Sequence, residues 1–438
     1  MSDTIKDVLQ FVKENDIKFI RLAFCDPLGI QKNVSILPNT LQSAFESGIC
    51  IDASAVMGFS DCTHSDLLLF PELSTLTVLP LCPRQRRVAR FSCHVNNPDG
   101  TAFTGDSRKI LQRVIERLTN IGYQCKIGAE CEFYLFKTDE NGEPTETAVD
   151  NGGYLDFAPL DKGEDIRRDI CLNLEEMGIY SEASYHQQGP GQNAIELQMT
   201  DALHCADNIQ TVKSVIKSIA AKNDLFASFM PKPILGKSGS GLHLKISLSR
   251  SGEYVSETDL AHSDETHCFI AGILAKIREM TLFLNPLSNS YERFGTPEAS
   301  EYVSWTHLNR SRLIRIPAAD GGIAKFELRS PDPALNPYLA LALIISAGLY
   351  GIEQKLPLPP SADENLGKSD DGVTASPERL PYDISEAVSL AEQSEFVRST
   401  IGEKAFNRFI AIKKDEAFAF LKSQNKREFY REKYFKVV

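Results

Sequence analysis

Residues Gly128 to Phe136 read Gly-Ala-Glu-Cys-Glu-Phe-Tyr-Leu-Phe, two carboxylates two positions apart in a run otherwise apolar enough for a buried strand. Residues two apart on a strand share a face, so Glu130 and Glu132 project side by side. Two ionised carboxylates on a half-buried surface repel each other and are costly to desolvate, and a divalent cation would relieve both costs. The plainer alternative is a solvated outer face on an edge strand. Two later stretches repeat the pattern. His243, Lys245 and Ser247 share a face of His-Leu-Lys-Ile-Ser-Leu, as do Lys325, Glu327 and Arg329 in Lys-Phe-Glu-Leu-Arg-Ser. A histidine and carboxylates supply ligands for a hard cation, and basic groups clamp anions. Taken singly, each is more often a solvent-facing polar residue. They make one site if their strands are neighbours in one antiparallel sheet.

The arginines add a second chemistry. Asn309-Arg310-Ser311-Arg312-Leu313-Ile314-Arg315-Ile316-Pro317 leads three guanidinium groups into an apolar strand, and Arg293 follows Asn289-Ser290-Tyr291-Glu292. Arginine grips phosphate and carboxylate in bidentate fashion and stays charged when partly buried. Any one of them suits a surface ion pair. Several around a metal-type cluster suit phosphoryl transfer, where positioning and charge neutralisation carry the catalysis. Gly236-Lys237-Ser238-Gly239-Ser240-Gly241 is not a Walker loop, because Leu242 stands where that motif needs lysine. It remains a glycine-rich turn able to bring backbone close to a ligand.

The elements that must position these groups fall into two textures. Ile5, Val8, Leu9 and Val12 give an amphipathic helix. Phe19 to Phe24, a turn at Asp26-Pro27-Leu28-Gly29 and Ile30 to Ile36 then read as a hairpin. Short strands at 77–81 and 88–95 complete a small helix-plus-sheet domain over residues 1–100, closed by Asn96-Asn97-Pro98-Asp99-Gly100. Residues 101–438 form the second domain. Its predicted helices start near Ser107, Asp161, Asp207 and Thr266, with strands at 128–136, 192–199, 241–248, 313–317 and 323–330. Tyr338 to Ile352 is an uncharged stretch started by Asn336 and Pro337. At fifteen residues it falls short of the about 20 that a bilayer requires and reads as a buried helix. Residues 355–381 read as a surface loop, and the chain from Ile384 onward as charged helices.

Composition narrows the partners. At 438 residues, 42% hydrophobic and 24% charged, the chain is an ordinary globular one that needs no staples. A formal charge of −12 argues against nucleic acid or an anionic membrane as the main partner, while leaving room for a local basic pocket. Ten scattered cysteines without a Cys-x-x-Cys pair, and an N-terminus lacking signal-peptide order, predict reduced thiols and a cytoplasmic setting.

Six ordered motifs then carry a resemblance. Gly-x-Glu-x-Glu-Phe at Gly128, Gly-Pro-Gly-Gln at Gly189, Gly-Ser-Gly-x-His at Gly239 and Asn-Ser-Tyr-x-Arg at Asn289 are followed by Asn-Arg-Ser-x-x-x-Arg-Ile-Pro at Asn309 and Glu-x-Arg-x-x-Asp-Pro-x-x-Asn-Pro-Tyr at Glu327. Together they resemble the glutamine synthetase family nearly end to end. The resemblance implies an α+β fold, with an N-terminal β-grasp domain and a catalytic domain whose curved antiparallel sheet is flanked by helices. It implies a homo-oligomeric ring, a decamer or dodecamer, with active sites between subunits. The implied reaction uses ATP and Mg²⁺ or Mn²⁺ to turn the γ-carboxylate of glutamate, or a related acid, into an acyl phosphate that ammonia or another amine displaces. By the same resemblance Glu130, His243 and Glu327 hold the metal on the ATP phosphates, and Glu132 holds one nearer glutamate. Gly239, Arg293 and Arg329 border the acid, and Arg310 and Arg315 face the transferring phosphate. Glu182, Ser247 and Lys325, the last replacing the family's arginine, border ATP. Asp52 of a neighbouring subunit and Glu298 shape the amine pocket and accept its proton.

The chain departs from that pattern around the second metal. Gln187 and Ala194 stand where the family usually has the two glutamates that join Glu132, and Ser238 replaces an asparagine that helps hold glutamate. The expectation is a weakened second metal site and an ATP-dependent ligase with altered substrate use. Ordinary glutamine synthesis and a catalytically impaired paralogue with an assembly or regulatory role are the alternatives. A kinase or ATPase activity without amide formation is a further one. Glu196, on the same strand face, is a candidate substitute ligand. The 355–381 loop contains no tyrosine for the adenylylation some members use.

Overall fold

The computed structural model describes residues 4–59, 65–80, 87–250, 264–296, 298–317, 325–363 and 378–438. Residues 364–377, inside the expected surface loop, and 323–324, at the head of an expected strand, lie outside these.

The N-terminal unit is a six-stranded sheet in the order Gln31–Ile36, Phe19–Cys25, Val88–Asn96, Asp66–Pro71, Ile49–Asp52, with Thr77–Leu79 also pairing on Val88–Asn96. The expected hairpin forms with Ile20 opposite Ile36, and Phe19–Cys25 runs parallel to Val88–Asn96. The helix Ile5–Glu14 places Val8 and Val12 in this unit's own apolar core with Ile20, Leu22, Leu69 and Phe91.

The second unit is built on a ten-stranded curled sheet. Its main path runs Trp305–Thr306, Ile314–Arg315, Phe326–Leu328, Leu242–Arg250, Tyr123–Thr138, Gln192–Leu197, Ser181–His186. All its pairings are antiparallel except Trp305–Thr306 with Ile314–Arg315. The central strand, Tyr123–Thr138, is sixteen residues long and also pairs Leu225–Ser228, Pro144–Ala148 and Thr200–Asp201. The architecture is the α+β one that the resemblance implies: a β-grasp unit followed by a curled sheet with flanking helices.

Two helices start elsewhere than the periodicity suggests, each for a capping reason. The expected helix at Asp207 begins at Ala202, because the Asp201 carboxylate accepts from the N–H groups of Leu203 and His204. The one expected from Asp161 begins at Glu164, because Asp161 instead binds the Gly163 N–H and the Arg167 guanidinium. Pro337–Glu353 is buried on every side, as an all-apolar helix must be. It packs backbone to backbone on Asp264–Leu284: a Cβ on Gly351 would stand 1.9 Å from Cys268 O, and one on Gly272 2.1 Å from Ala347 O. No helix of the described residues is long and apolar enough to cross a membrane.

Asn336 joins the two units. Its Oδ1 caps the buried helix by accepting from the N–H groups of Tyr338 and Leu339, and its Nδ2 donates to Asp26 O (3.0 Å) and Pro27 O (3.3 Å) of the first hairpin turn. At Gly29, where φ is +86°, a Cβ would lie 2.8 Å from Leu335 O, so the turn seats against the helix only as glycine. Gln210 Nε2 donates to Gly29 O from the other side (3.0 Å). Asn336→Ala removes the cap and the side-chain donor to both carbonyls, of which Asp26 O keeps the Gly29 N–H. It is expected to cost about 2–3 kcal/mol. Thermal unfolding at matched protein concentration would read this as a lowered midpoint, and an unchanged midpoint would refute the docking role.

Candidate active site

The register of the sheet decides which side chains meet. His243 is directly opposite Glu130, Lys245 is opposite Glu327, and Glu327 is opposite Arg315. On the other side of the central strand, Glu196 is opposite Glu130 and Ala194 is opposite Glu132. Cross-strand partners project to the same face, so all of these residues share it. The strands carrying the predicted residues are therefore neighbours, with Leu242–Arg250 between the other two.

Glu130, His243 and Glu327 form one buried cluster, with ligand-type atoms all within 4.8 Å of one another. His243 Nδ1 lies 3.5 Å from a Glu130 oxygen and 3.5 Å from a Glu327 oxygen, yet this buried nitrogen has no hydrogen-bond partner among the described residues. An orphaned imidazole nitrogen between two carboxylates fits a hard divalent cation. Burial works against ionisation of Glu130, but His243, the Tyr185 hydroxyl (2.6 Å) and Arg329 outweigh it and hold the carboxyl down to about 2. It is thus charged and ready to bind a cation at neutral pH. Arg329 donates to Glu327, and Arg315 Nη1 stands 3.8 Å from it.

Glu132 is in a different position. Its oxygens accept from Gly241 N (2.6 Å), Gln187 Nε2 (2.5 Å) and Gln192 Nε2 (3.4 Å). Gln187 Nε2 also reaches Glu130 Oε1 at 3.3 Å. An amide placed between two carboxylates must present its NH₂ group, so Gln187 bridges the pair as a donor. Burial and the neighbouring Glu130 charge push the Glu132 carboxyl up. Glu196, the candidate substitute ligand, is instead ion-paired with Lys245, which also lies 3.8 Å from Glu182. Alternation puts Lys245 on the same face, within reach of Glu196, and its charge takes up that carboxylate.

The glycine turn forms the floor. A Cβ on Gly241 would meet His243 Nε2 at 2.7 Å and Arg293 Nη2 at 2.9 Å, and one on Gly239 would meet Arg293 Cγ at 2.7 Å. Arg293 is buried and donates to Ser330 O (3.0 Å). Tyr134, next on the face after Glu132, donates to Ser238 O (2.5 Å), and Gln192 donates to Gly239 O (3.0 Å). Tyr134 lies on the alternating face of Glu130 and Glu132 and Gln192 belongs to the Gly-Pro-Gly-Gln motif, so both were findable, whereas Tyr185 reaches the face through the pairing of Ser181–His186 with Gln192–Leu197.

Other predicted residues make no hydrogen bond or ion pair to this cluster among the described residues. Asp52 lies in the N-terminal sheet, its carboxylate accepting from the Ser54 N–H and hydroxyl. Arg310 is exposed, and Glu298 is half-buried in the turn after Arg293. Ser247 and Lys325 are half-buried at the far end of the same face.

The fold and cluster define a two-unit α+β protein with a cation-competent site on one sheet face. Comparison with known proteins narrows the class. The family model described as glutamine synthetase, beta-Grasp domain, matches residues 16–98, and that of the glutamine synthetase catalytic domain matches 104–432. A glutamine synthetase of Clostridium saccharobutylicum is 43% identical over 94% of this chain and 95% of its own. One of Methanosarcina mazei is 44% identical over 94% of each chain. A solved structure described as "GmaS/ADP complex-Conformation 1" superposes with a TM-score of 0.84 at 26% identity, covering 98% of this chain and 99% of that one. The chain belongs to the glutamine synthetase family.

Mn²⁺ titration followed by electron paramagnetic resonance tests the cluster. His243→Ala or Glu327→Ala is expected to weaken binding by more than the about 10–100-fold that loss of a ligand's hydrogen-bond partner alone produces. Unchanged affinity in both variants would place the ion elsewhere.

Proposed function

We propose that the protein is an ATP-dependent ligase that joins glutamate or a related carboxylic acid to ammonia or another amine, with altered substrate use. The observation that carries the reading is the orphaned His243 Nδ1 between Glu130 and Glu327, flanked by Arg293, Arg315 and Arg329. Family membership supports the reaction class.

In this reading a divalent ion, Mg²⁺ or Mn²⁺, held by Glu130, His243 and Glu327 would neutralise phosphate oxygens so that two anions can approach. Arg293, Arg329 and the Gly239 turn hold the acid. One of its carboxylate oxygens attacks the γ-phosphorus of ATP, ADP leaves, and Arg310 and Arg315 face the phosphoryl group in transit. The amine nitrogen then attacks the acyl carbon and phosphate leaves. The amine's proton passes to Glu298 or to Asp52 contributed by a neighbouring copy. Glu182, Ser247 and Lys325 border the nucleotide. Residues 1–100 close a neighbour's site in a ring of like subunits, and residues 101–438 carry the chemistry.

Gln187 supports the altered-use part. Its amide already satisfies Glu132 and touches Glu130, which leaves Glu132 serving as an internal acceptor in place of a second cation. The same change removes a negative charge from the place where a small ammonium ion would be attracted.

Incubating the protein with Mg²⁺ or Mn²⁺, ATP, and panels of carboxylic acids and amines is expected to give ADP release that depends on the acid, together with an amide identified by mass. Failure to bind or turn over ATP in every combination would sink the ligase reading and leave an assembly or regulatory role. Gln187→Glu combined with Ala194→Glu is expected to bind a second Mn²⁺ and to raise glutamine synthesis about tenfold, equivalent to about 1.4 kcal/mol of barrier. A parent that already makes glutamine as fast as the double variant would overturn the altered-use part.

A further inference from the structure

Away from the sheet face, a cavity of about 250 Å³ lies between residues 230–235 and the C-terminal turn, with Met230, Lys232, Ile234, Arg427, Arg431 and Phe435 in its wall. Three cationic side chains thus line it in a chain of formal charge −12. The one carboxylate in the wall, Glu146, is ion-paired with Arg427.

Lys232 is only 7% exposed. Its backbone is fixed at both ends by Asn289, which accepts from Lys232 N (2.6 Å) and donates to Lys232 O (3.1 Å). Neither its ammonium nor the Arg431 guanidinium has a hydrogen-bond or ion-pair partner among the described residues. Burial lowers the Lys232 pKa, with the field of Glu298 opposing. A buried ammonium without a partner is costly, and the cavity beside it has room for a counter-charge. The other side of the wall is apolar. Arg431–Phe435 is a π-helical turn, a conformation that recurs at functional sites, and both its end residues line the cavity.

We propose that this cavity is a binding site for a small organic carboxylate, its anionic end on Lys232 and Arg431 and its short apolar body on Met230, Ile234 and Phe435. None of the cavity's lining residues belongs to the Glu130 cluster, but the two sites share supports. A Cβ on Gly239 would touch Lys232 Cδ at 3.3 Å. Tyr430 OH donates to Glu292 (3.0 Å), and Ser288 N donates to Tyr434 OH (3.3 Å), both from the C-terminal turn to the segment that carries Arg293.

The test is isothermal titration of the purified full chain with 4-methylpentanoate, a branched carboxylate of suitable size, and with its neutral amide. The carboxylate is expected to bind saturably, one per chain, and at least about tenfold more tightly than the amide. Arg431→Gln, an exposed change that spares the core, and Lys232→Met are each expected to weaken binding about tenfold. Arg329→Gln is expected to leave it unchanged. Absence of saturable heat, equal binding of the amide, or an Arg431→Gln affinity equal to wild type would overturn the site. So would loss of binding in Arg329→Gln, which would mean that the ligand occupies the Glu130 side instead. Binding is read without turnover, so this result stands apart from the ligase reading.

Discussion

Four carboxylates, Glu130, Glu132, Glu196 and Glu327, project from neighbouring strands onto one face of a sheet. Strands lie about 5 Å apart, and two unit charges at that separation repel by roughly 3 kcal/mol at an effective dielectric of 20. The face folds only because each carboxylate meets a different complement. Glu196 has the Lys245 ammonium, Glu327 has Arg329, Glu132 has three N–H donors, and Glu130 has the Tyr185 hydroxyl and the imidazole across the strand. What is left over is the gap at His243 Nδ1, where the geometry accommodates a cation.

The remaining structure keeps those complements in place. The turn carrying Gln187 is tied down by a buried pair. Asp150 Oδ1 accepts from His186 Nε2 (3.0 Å) and Gly191 N (2.8 Å), while His186 Nδ1 donates to Gln187 O (2.6 Å). With both ring nitrogens donating, His186 is an imidazolium, and its pKa is raised: Asp150 and the Gln187 carbonyl outweigh burial. Asp150 is correspondingly held down to about 2 although burial opposes it. This charged pair beneath the site fixes the backbone from which Gln187 reaches the two glutamates. On the opposite side Gly239 and Gly241 lie against Arg293 and His243 with no space for a side chain at either glycine, so the arginine and the imidazole are set by the same backbone.

Family membership and local chemistry act on different scales here. Ala194 lies opposite Glu132 in a strand pairing that holds its register, and Gln187 reaches the same carboxylate from just beyond the neighbouring strand. Gln187, Gln192 and the Gly241 N–H together saturate Glu132 with neutral donors.

Much of the site was legible in the sequence because strand alternation is local. The two-residue spacing of Glu130 and Glu132, and of Lys325, Glu327 and Arg329, sets a shared face whatever the strands pair with, and Asn336-Pro337 ahead of an apolar run marks a capped buried helix. Six motifs in order were enough to indicate the family. Pairing register is not local, and only the tertiary structure determined it. That register put His243 opposite Glu130, gave Glu196 to Lys245, and brought Gln187 from the end of its strand into hydrogen-bonding distance of both glutamates. The Lys232 ammonium, without a partner among the described residues, likewise has no sequence signal, because its isolation depends on how side chains about 200 residues away are placed around it. Sequence determines which groups a strand presents, whereas the partner of each charge depends on contacts between distant segments, where the free energy of burying that charge is settled.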